Sequence, residues 1–219
     1  MAGDSASNLW SNEYDSLMRV HDSDSGYPFE GRKKLLAAVY SEICRRPGKH
    51  ILDLGPGYFL IARKLCSEGY AVTAVENSDA RIHMARRTMP GLEIVDENPE
   101  RGFPACLRDR KFDIIISVYM LHRICAARQY AFIEDCLARL CPDGALIVGD
   151  VIFETRMELE KAHEKFRQTW YENDSYLVLG EIGKRFAGIL SKTQKTSFCG
   201  EMLVLEPGKR QDGRRAGEP

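Results

Sequence analysis

The stretch His50-Ile51-Leu52-Asp53-Leu54-Gly55-Pro56-Gly57-Tyr58-Phe59 decides how the rest of the chain is read. A short apolar run ends in an acid. Two glycines follow at alternate positions, and a helical pattern then runs from Phe59 to Ser67. Glycines at such a junction let the backbone turn sharply and approach a ligand closely. Outward from it, apolar runs and helices alternate. Tyr70–Val75, Leu92–Val95, Phe112–Val118 and Ala145–Phe153 read as strands, and Asp79–Thr88 and Ala127–Leu140 as helices. Near-continuous apolar strands joined by helices predict a parallel sheet covered on both faces, an α/β fold of the Rossmann-like, doubly wound type. Upstream, Arg32–Cys44 reads as a helix with Leu35, Leu36, Val39 and Ile43 on one stripe. Downstream, Thr155–Tyr171 and residues 176–190 read as helical, and Thr196–Leu205 as a strand with a bulge or turn at Cys199-Gly200.

In a doubly wound sheet, ligands bind outside the carboxyl ends of the strands. The first strand delivers Asp53 there, and the second delivers Glu76, 23 residues later. An acid at that second position accepts the hydroxyls of a ribose. A nicotinamide or flavin site needs a third glycine, and Leu60 stands at that position, which disfavours a dehydrogenase. A Walker-type lysine loop is absent as well. What remains is a ligand that carries adenosine without a phosphate chain.

At this point the motifs resemble those of the class I S-adenosylmethionine-dependent methyltransferases, in particular small stand-alone bacterial members. Asp53-Leu54-Gly55-Pro56-Gly57 resembles motif I, and Val72–Glu76 the second motif. Phe112–His122 resembles the fourth strand and its loop, and Leu140–Val148 the approach to strand five. The resemblance covers roughly residues 10–205. It implies a mostly parallel seven-stranded sheet with a C-terminal antiparallel hairpin and a small N-terminal helical cap. The expected division is a cap or lid at 1–48, a core at 49–206 and a disordered tail at 207–219.

The resemblance also implies roles. Gly55 and Gly57 pass under the methionine part of the cofactor, and Asp53 holds that loop. Glu76 binds the ribose hydroxyls and Asn77 flanks the adenine. Asp96 or Asn98 meets the adenine amino group, with strand parity favouring Asn98. Ser117, Tyr119 and His122 lie along the floor near the methyl group. Tyr14, in a W-x-x-x-Y-D stretch, resembles the lid. Trp10, His21 and Tyr27 either join that lid or staple the cap to the sheet. The chain departs from the family at Phe59, where motif I has its third glycine, and a side chain there is expected to narrow the cofactor slot.

The chemistry expected is in-line displacement of a methyl group from S-adenosylmethionine onto a small-molecule acceptor, leaving S-adenosylhomocysteine. Such a transfer needs positioning and exclusion of water, and a base where the acceptor carries a proton. His122 is the candidate base, by its place at the rim and its near-neutral intrinsic pKa. Tyr119 is the candidate to orient the acceptor. The alternatives are an RNA or protein methyltransferase and a non-catalytic cofactor-binding protein on the same scaffold.

Composition narrows these readings. The 219 residues carry 31 Lys and Arg against 32 Asp and Glu, a net charge of −1. That gives no general pull toward nucleic acid or an acidic membrane. No apolar run approaches the ~20 residues of a membrane span. MAGDSASNLW has neither a basic nor an apolar signal region, so the expected location is the cytoplasm. The seven cysteines form no Cys-x-x-Cys. Glu160 and His163 stand three apart without a second such pair, so no metal site is expected. A monomer or homodimer is expected.

Overall fold

In the computed structural model of the protein, residues 26–207 are described. Trp10, Tyr14, His21 and the tail beyond Gly208's predecessor fall outside them. The strands are β1 (His50–Leu54), β2 (Ala71–Glu76), β3 (Glu93–Asp96), β4 (Phe112–Val118), β5 (Leu140–Phe153), β6 (Leu177–Val178), β7 (Leu190–Lys195) and β8 (Gly200–Leu205). The helices are α1 (Arg32–Cys44), α2 (Leu60–Ser67), α3 (Asp79–Thr88), α4 (Ala126–Leu137), α5 (Arg156–Lys165) and α6 (Leu179–Arg185).

The sheet order is β3-β2-β1-β4-β5-β8-β7, with the two-residue β6 paired to β5 beside this path. β3 through β5 run parallel, and β8 and β7 close the edge antiparallel. The expected parallel sheet with a C-terminal hairpin is therefore present. Strand order reverses at β1 and β4, and a crevice opens where their carboxyl ends diverge.

Alternation along β4 shows how the two layers are filled. Ile114 and Ile116 pack with α1, α2 and α3, whereas Ile115 packs with α4 and α6. Each face thus buries its own apolar set, the arrangement that requires helices on both sides of a parallel sheet. α1 lies close against β5 because Gly149 has no side chain. A Cβ there would sit 3.0 Å from Val39 and 3.2 Å from Leu35.

Several boundaries differ from the sequence reading. β5 starts at Leu140 rather than Ala145, and α4 ends at Leu137. The helix expected to reach Tyr171 stops at Lys165. Beyond it, Thr169 bonds the Phe166 carbonyl through both its amide and its hydroxyl, a local turn in place of the helical ladder. Phe166 and Trp170 there stack on Tyr27, at centroid distances of 4.8 and 5.1 Å. Tyr27 is thereby a staple between the N-terminal turn and the segment after α5. The helix expected over 176–190 is confined to α6, because Leu177 and Val178 pair with Ile152 and Phe153. Of the last expected strand, Thr196–Leu205, only Gly200–Leu205 is strand, as β8; residues 196–199 form the turn that joins it to β7, which the sequence pattern did not reveal. β7 escaped the apolar pattern because Ser-Lys-Thr-Gln-Lys is a polar edge.

Candidate active site

The crevice holds a cavity of about 600 Å³. Its floor is the loop between β1 and α2. Gly55 has φ +73° and its missing Cβ would lie 2.7 Å from the Met120 side chain, so only glycine fits. Gly57 has φ +56° and faces open space, where a ligand has room. Phe59 follows with φ +57°, a left-handed backbone that glycine adopts freely and a bulky residue adopts under strain. Its ring is fully buried with Leu60, Leu65 and the sheet core, and it does not line the cavity. The expectation that Phe59 narrows the slot is corrected: the backbone keeps the glycine-like turn, and the ring turns into the core.

Asp53 and Glu76 end β1 and β2 beside this loop and both line the cavity. They take the same face as Ile51 and Ala74, two residues earlier in each strand. Glu76 is 2% exposed. Its Oε1 accepts the backbone amides of Asn77 and Ser78, both at 2.9 Å, and its Oε2 accepts Arg81 at 2.9 Å. Burial, reinforced by the charge of Glu76, pushes the Asp53 carboxyl up to about 8. Two buried acids side by side make a floor that favours a cationic group.

Asn77 and Asn98 line the same cavity. The Asn98 side chain accepts the Glu100 amide at 2.9 Å and so caps a 3-10 turn at Pro99–Arg101. Asp96, the alternative to Asn98, is exposed and does not line the cavity. Ser117 does not line it either. It shares the parity of Ile115, faces the α4 side at 1% exposure, and its hydroxyl has no hydrogen-bond partner among the described residues. The expected placement of Asp96 and Ser117 at the cofactor is thus corrected: strand parity turns Ser117 to the other face, and Asp96 lies exposed at the end of β3. Tyr14 lies outside the described residues.

The far wall is built by Phe29, Arg32, Tyr119 and His122. Tyr119 leaves β4 with φ +53°, and its amide is anchored to the Gly149 carbonyl at 2.8 Å. Strain of this kind persists where neighbours over-determine it, as at binding sites. Phe29 meets the Tyr119 ring edge-on at 5.3 Å, and the Arg32 guanidinium lies over both rings.

His122 sits in a 3-10 turn, 6% exposed. Its Nδ1 is 2.5 Å from Oδ1 of Asp150, which is fully buried on β5. Its Nε2 is 3.8 Å from Oδ2 of Asp174. Burial alone would pull the imidazole pKa down, but the attraction and hydrogen bond of Asp150, with Asp174 behind, raise it above 6.5. Neither acid stood out in the sequence reading. A signal existed for Asp150: a carboxylate inside the apolar run Leu146-Ile147-Val148-Gly149-Asp150-Val151-Ile152 demands a buried partner. His163, outside the site, packs edge-on against Trp170 at 4.8 Å.

Known proteins resemble this chain in sequence and in fold. The family profile of a methyltransferase domain matches residues 52–148, which span both strand ends and the β4 loop. The chain carries a methyltransferase domain. The uncharacterized methyltransferase YrrT of Bacillus subtilis (strain 168) is 29% identical over 216 residues, covering 92% of this chain and 95% of YrrT. The fold is shared with magnesium protoporphyrin IX methyltransferase (ChlM) from Synechocystis PCC 6803, solved with bound SAH. The TM-score is 0.65 at 16% identity, over 91% of this chain and 97% of that one. It is also shared with DhpI in its SAH complex, at a TM-score of 0.60 and 19% identity, over 93% and 94% of the two chains. No helix among the described residues is long and apolar enough to cross a membrane.

Proposed function

We propose that the protein transfers a methyl group from S-adenosylmethionine to a small molecule bound against Phe29, Arg32, Tyr119 and His122. The observation that carries the reading is the pair of buried acids, Asp53 and Glu76, beside the left-handed Gly55 and Gly57 in one cavity. A buried, oriented carboxylate suits two ribose hydroxyls. An acidic floor under a side-chain-free loop suits a ligand with a cationic amino acid portion. Bound S-adenosylmethionine supplies an electrophilic methyl carbon and leaves as S-adenosylhomocysteine.

The chain's own residues then bind, orient and exclude water. Glu76 accepts the ribose hydroxyls, Asn98 meets the adenine and Asn77 flanks it. Asp53 steadies the loop. Tyr119 orients the acceptor, and His122 takes its proton where it has one. In this reading residues 1–48 cap the core at 49–206, Tyr14 belongs to the lid, and the protein works in the cytoplasm as a monomer or homodimer. The −1 net charge favours a small molecule over RNA.

Calorimetry with S-adenosylmethionine and S-adenosylhomocysteine tests the first half of the proposal, and binding of both is expected. Methyl-labelled S-adenosylmethionine, offered with a metabolite extract, RNA and protein in parallel, tests the second half. Label is expected in the metabolite fraction. Absence of binding to both ligands sinks the proposal, and label confined to RNA or protein sinks its acceptor class.

A further inference from the structure

We infer that Asp150 and Asp174 bracket His122 into one proton-accepting unit: Asp150 fixes Nδ1 as the protonated nitrogen, Nε2 receives the proton leaving the acceptor, and Asp174 steadies the imidazolium. The inference rests on the methyltransferase reading above and deepens it. It narrows the acceptor to a hydroxyl or amine whose proton must leave, and away from a thioether.

The bonds around Asp150 fix the direction of the proton. Its Oδ1 accepts the Val151 amide at 2.7 Å and lies 2.5 Å from His122 Nδ1, and its Oδ2 accepts the His122 amide at 3.3 Å. Both oxygens of Asp150 already accept backbone amides, so the carboxyl group faces His122 as an acceptor and Nδ1 is placed as the donor. The hydrogen bond at one ring nitrogen sets the tautomer, and Nε2 is left with its lone pair.

Across the ring, Asp174 Oδ2 is 3.8 Å from Nε2 and accepts the Tyr176 hydroxyl at 3.2 Å. At 3.8 Å it does not take up Nε2 by a direct hydrogen bond. It is near enough to favour a positive ring. The groups facing His122 are therefore Asp150 from β5, Asp174 and Tyr176 from the segment before β6, Tyr119 from the end of β4, and adjacent Arg123, which is paired with Glu100. That segment is tied down on purpose-built contacts. The Ser175 amide donates to the His122 carbonyl at 2.6 Å, and the Gln129 amide donates to the carbonyls of both Leu121 and Ser175.

The step balances within the chain and its acceptor. The acceptor's O–H or N–H bond breaks, its electron pair stays on the acceptor atom, and an Nε2–H bond forms. The positive ring then lies between two carboxylates, one fully buried and one near the surface, from which the proton is returned to solvent.

Long-range 1H–15N spectra of the imidazole nitrogens in the full chain test the inference. The His122 signals are assigned by their loss in His122→Gln. The expected result is an Nδ1–H tautomer at high pH and a titration midpoint above the ordinary 6.5. Asp150→Asn should lower that midpoint by about one pH unit or more. Asp150→Glu should restore part of the shift, and Asp174→Asn should lower the midpoint by less. An Nε2–H tautomer in the wild-type protein, or a midpoint unmoved by Asp150→Asn, overturns the inference. Should Asp150→Asn fail to fold, the wild-type tautomer and Asp174→Asn still decide. S-adenosylhomocysteine calorimetry on the same samples separates the two readings. Failure to bind overturns the methyltransferase reading, whereas binding with an unmoved titration overturns the bracket alone.

Discussion

Arg81 reaches back from α3 to Oε2 of Glu76 at 2.9 Å, while the amides of Asn77 and Ser78 hold Oε1. The carboxylate is thus held from both sides. The two sets of contacts differ in weight. The amides are fixed parts of the turn, whereas the Arg81 side chain is 45% exposed.

Removing the carboxylate should therefore cost far more than removing Arg81. Hydrogen bonds to a charged group contribute about 1.5–3 kcal/mol, so Glu76→Ala should weaken S-adenosylhomocysteine binding roughly tenfold to 150-fold. A half-exposed ion pair is worth about 1 kcal/mol or less, so Arg81→Ala should change affinity no more than about fivefold. Calorimetry on the two variants checks both. Equal losses would show that Arg81, rather than the amides, orients Glu76.

Asp53 makes the stability of the fold sensitive to pH. Its carboxyl is raised by burial and by Glu76 to about 8, against about 3.9 in an unfolded chain. Between those values the folded protein keeps a proton that the unfolded chain has released. The stability from this group is full below about pH 4 and is lost as the pH rises through about 8. The ammonium of a bound cofactor favours the ionised acid, so binding near pH 7 should release a proton. Binding heats measured in buffers of different ionisation enthalpy should differ for the wild-type protein. Asp53→Asn should abolish that difference.

Phe59 separates two demands that a glycine would meet differently. A left-handed backbone costs a bulky residue about 1–2 kcal/mol, and full burial of a phenylalanine ring is worth about 3–5 kcal/mol on truncation. Phe59→Gly should relieve the first and lose the second, for a net destabilisation of about 1–4 kcal/mol, read by thermal unfolding. Because the ring does not line the cavity, Phe59→Leu should leave S-adenosylhomocysteine affinity within about threefold. A large loss of affinity with little loss of stability would return the ring to the slot.

Phe59 also marks where a sequence stops speaking. Its place in motif I was legible, and so were β1, β4 and the two acids, because local apolar runs and glycine spacing encode them. The direction of its ring was not, since that depends on the whole core. Asn98 and Asp96 share a parity, and what separates them is that β3 ends at Asp96 and the chain beyond it turns Asn98 into the cavity, whereas strand parity does turn Ser117 to the far face. Asp150 and Asp174 lie 28 and 52 residues beyond His122, and only the fold brings them together. β7 was hidden because an edge strand keeps its polar side chains in water.

A charged network outside the cavity ties α1 to the edge of the sheet. Glu42 of α1 is 6% exposed and accepts Arg46 at 2.8 Å and Lys192 of β7 at 2.8 Å, and Arg46 also bonds Glu206 at 2.9 Å. It joins the first described helix to the C-terminal edge of the sheet. Burial pushes the Glu42 carboxyl up, but Lys192 and Arg46 outweigh burial and hold it below 4.5. The stabilisation is therefore present above about 4.5 and is lost as the pH falls through the lower folded value. Glu42→Gln should remove the charge and leave Arg46 and Lys192 poorly paired, at a cost of about 1–3 kcal/mol at pH 7. Thermal unfolding from pH 7 down to pH 3 checks the sign. The gap between wild type and variant should narrow as the pH falls, because acid removes from the wild-type protein the charge that the variant already lacks.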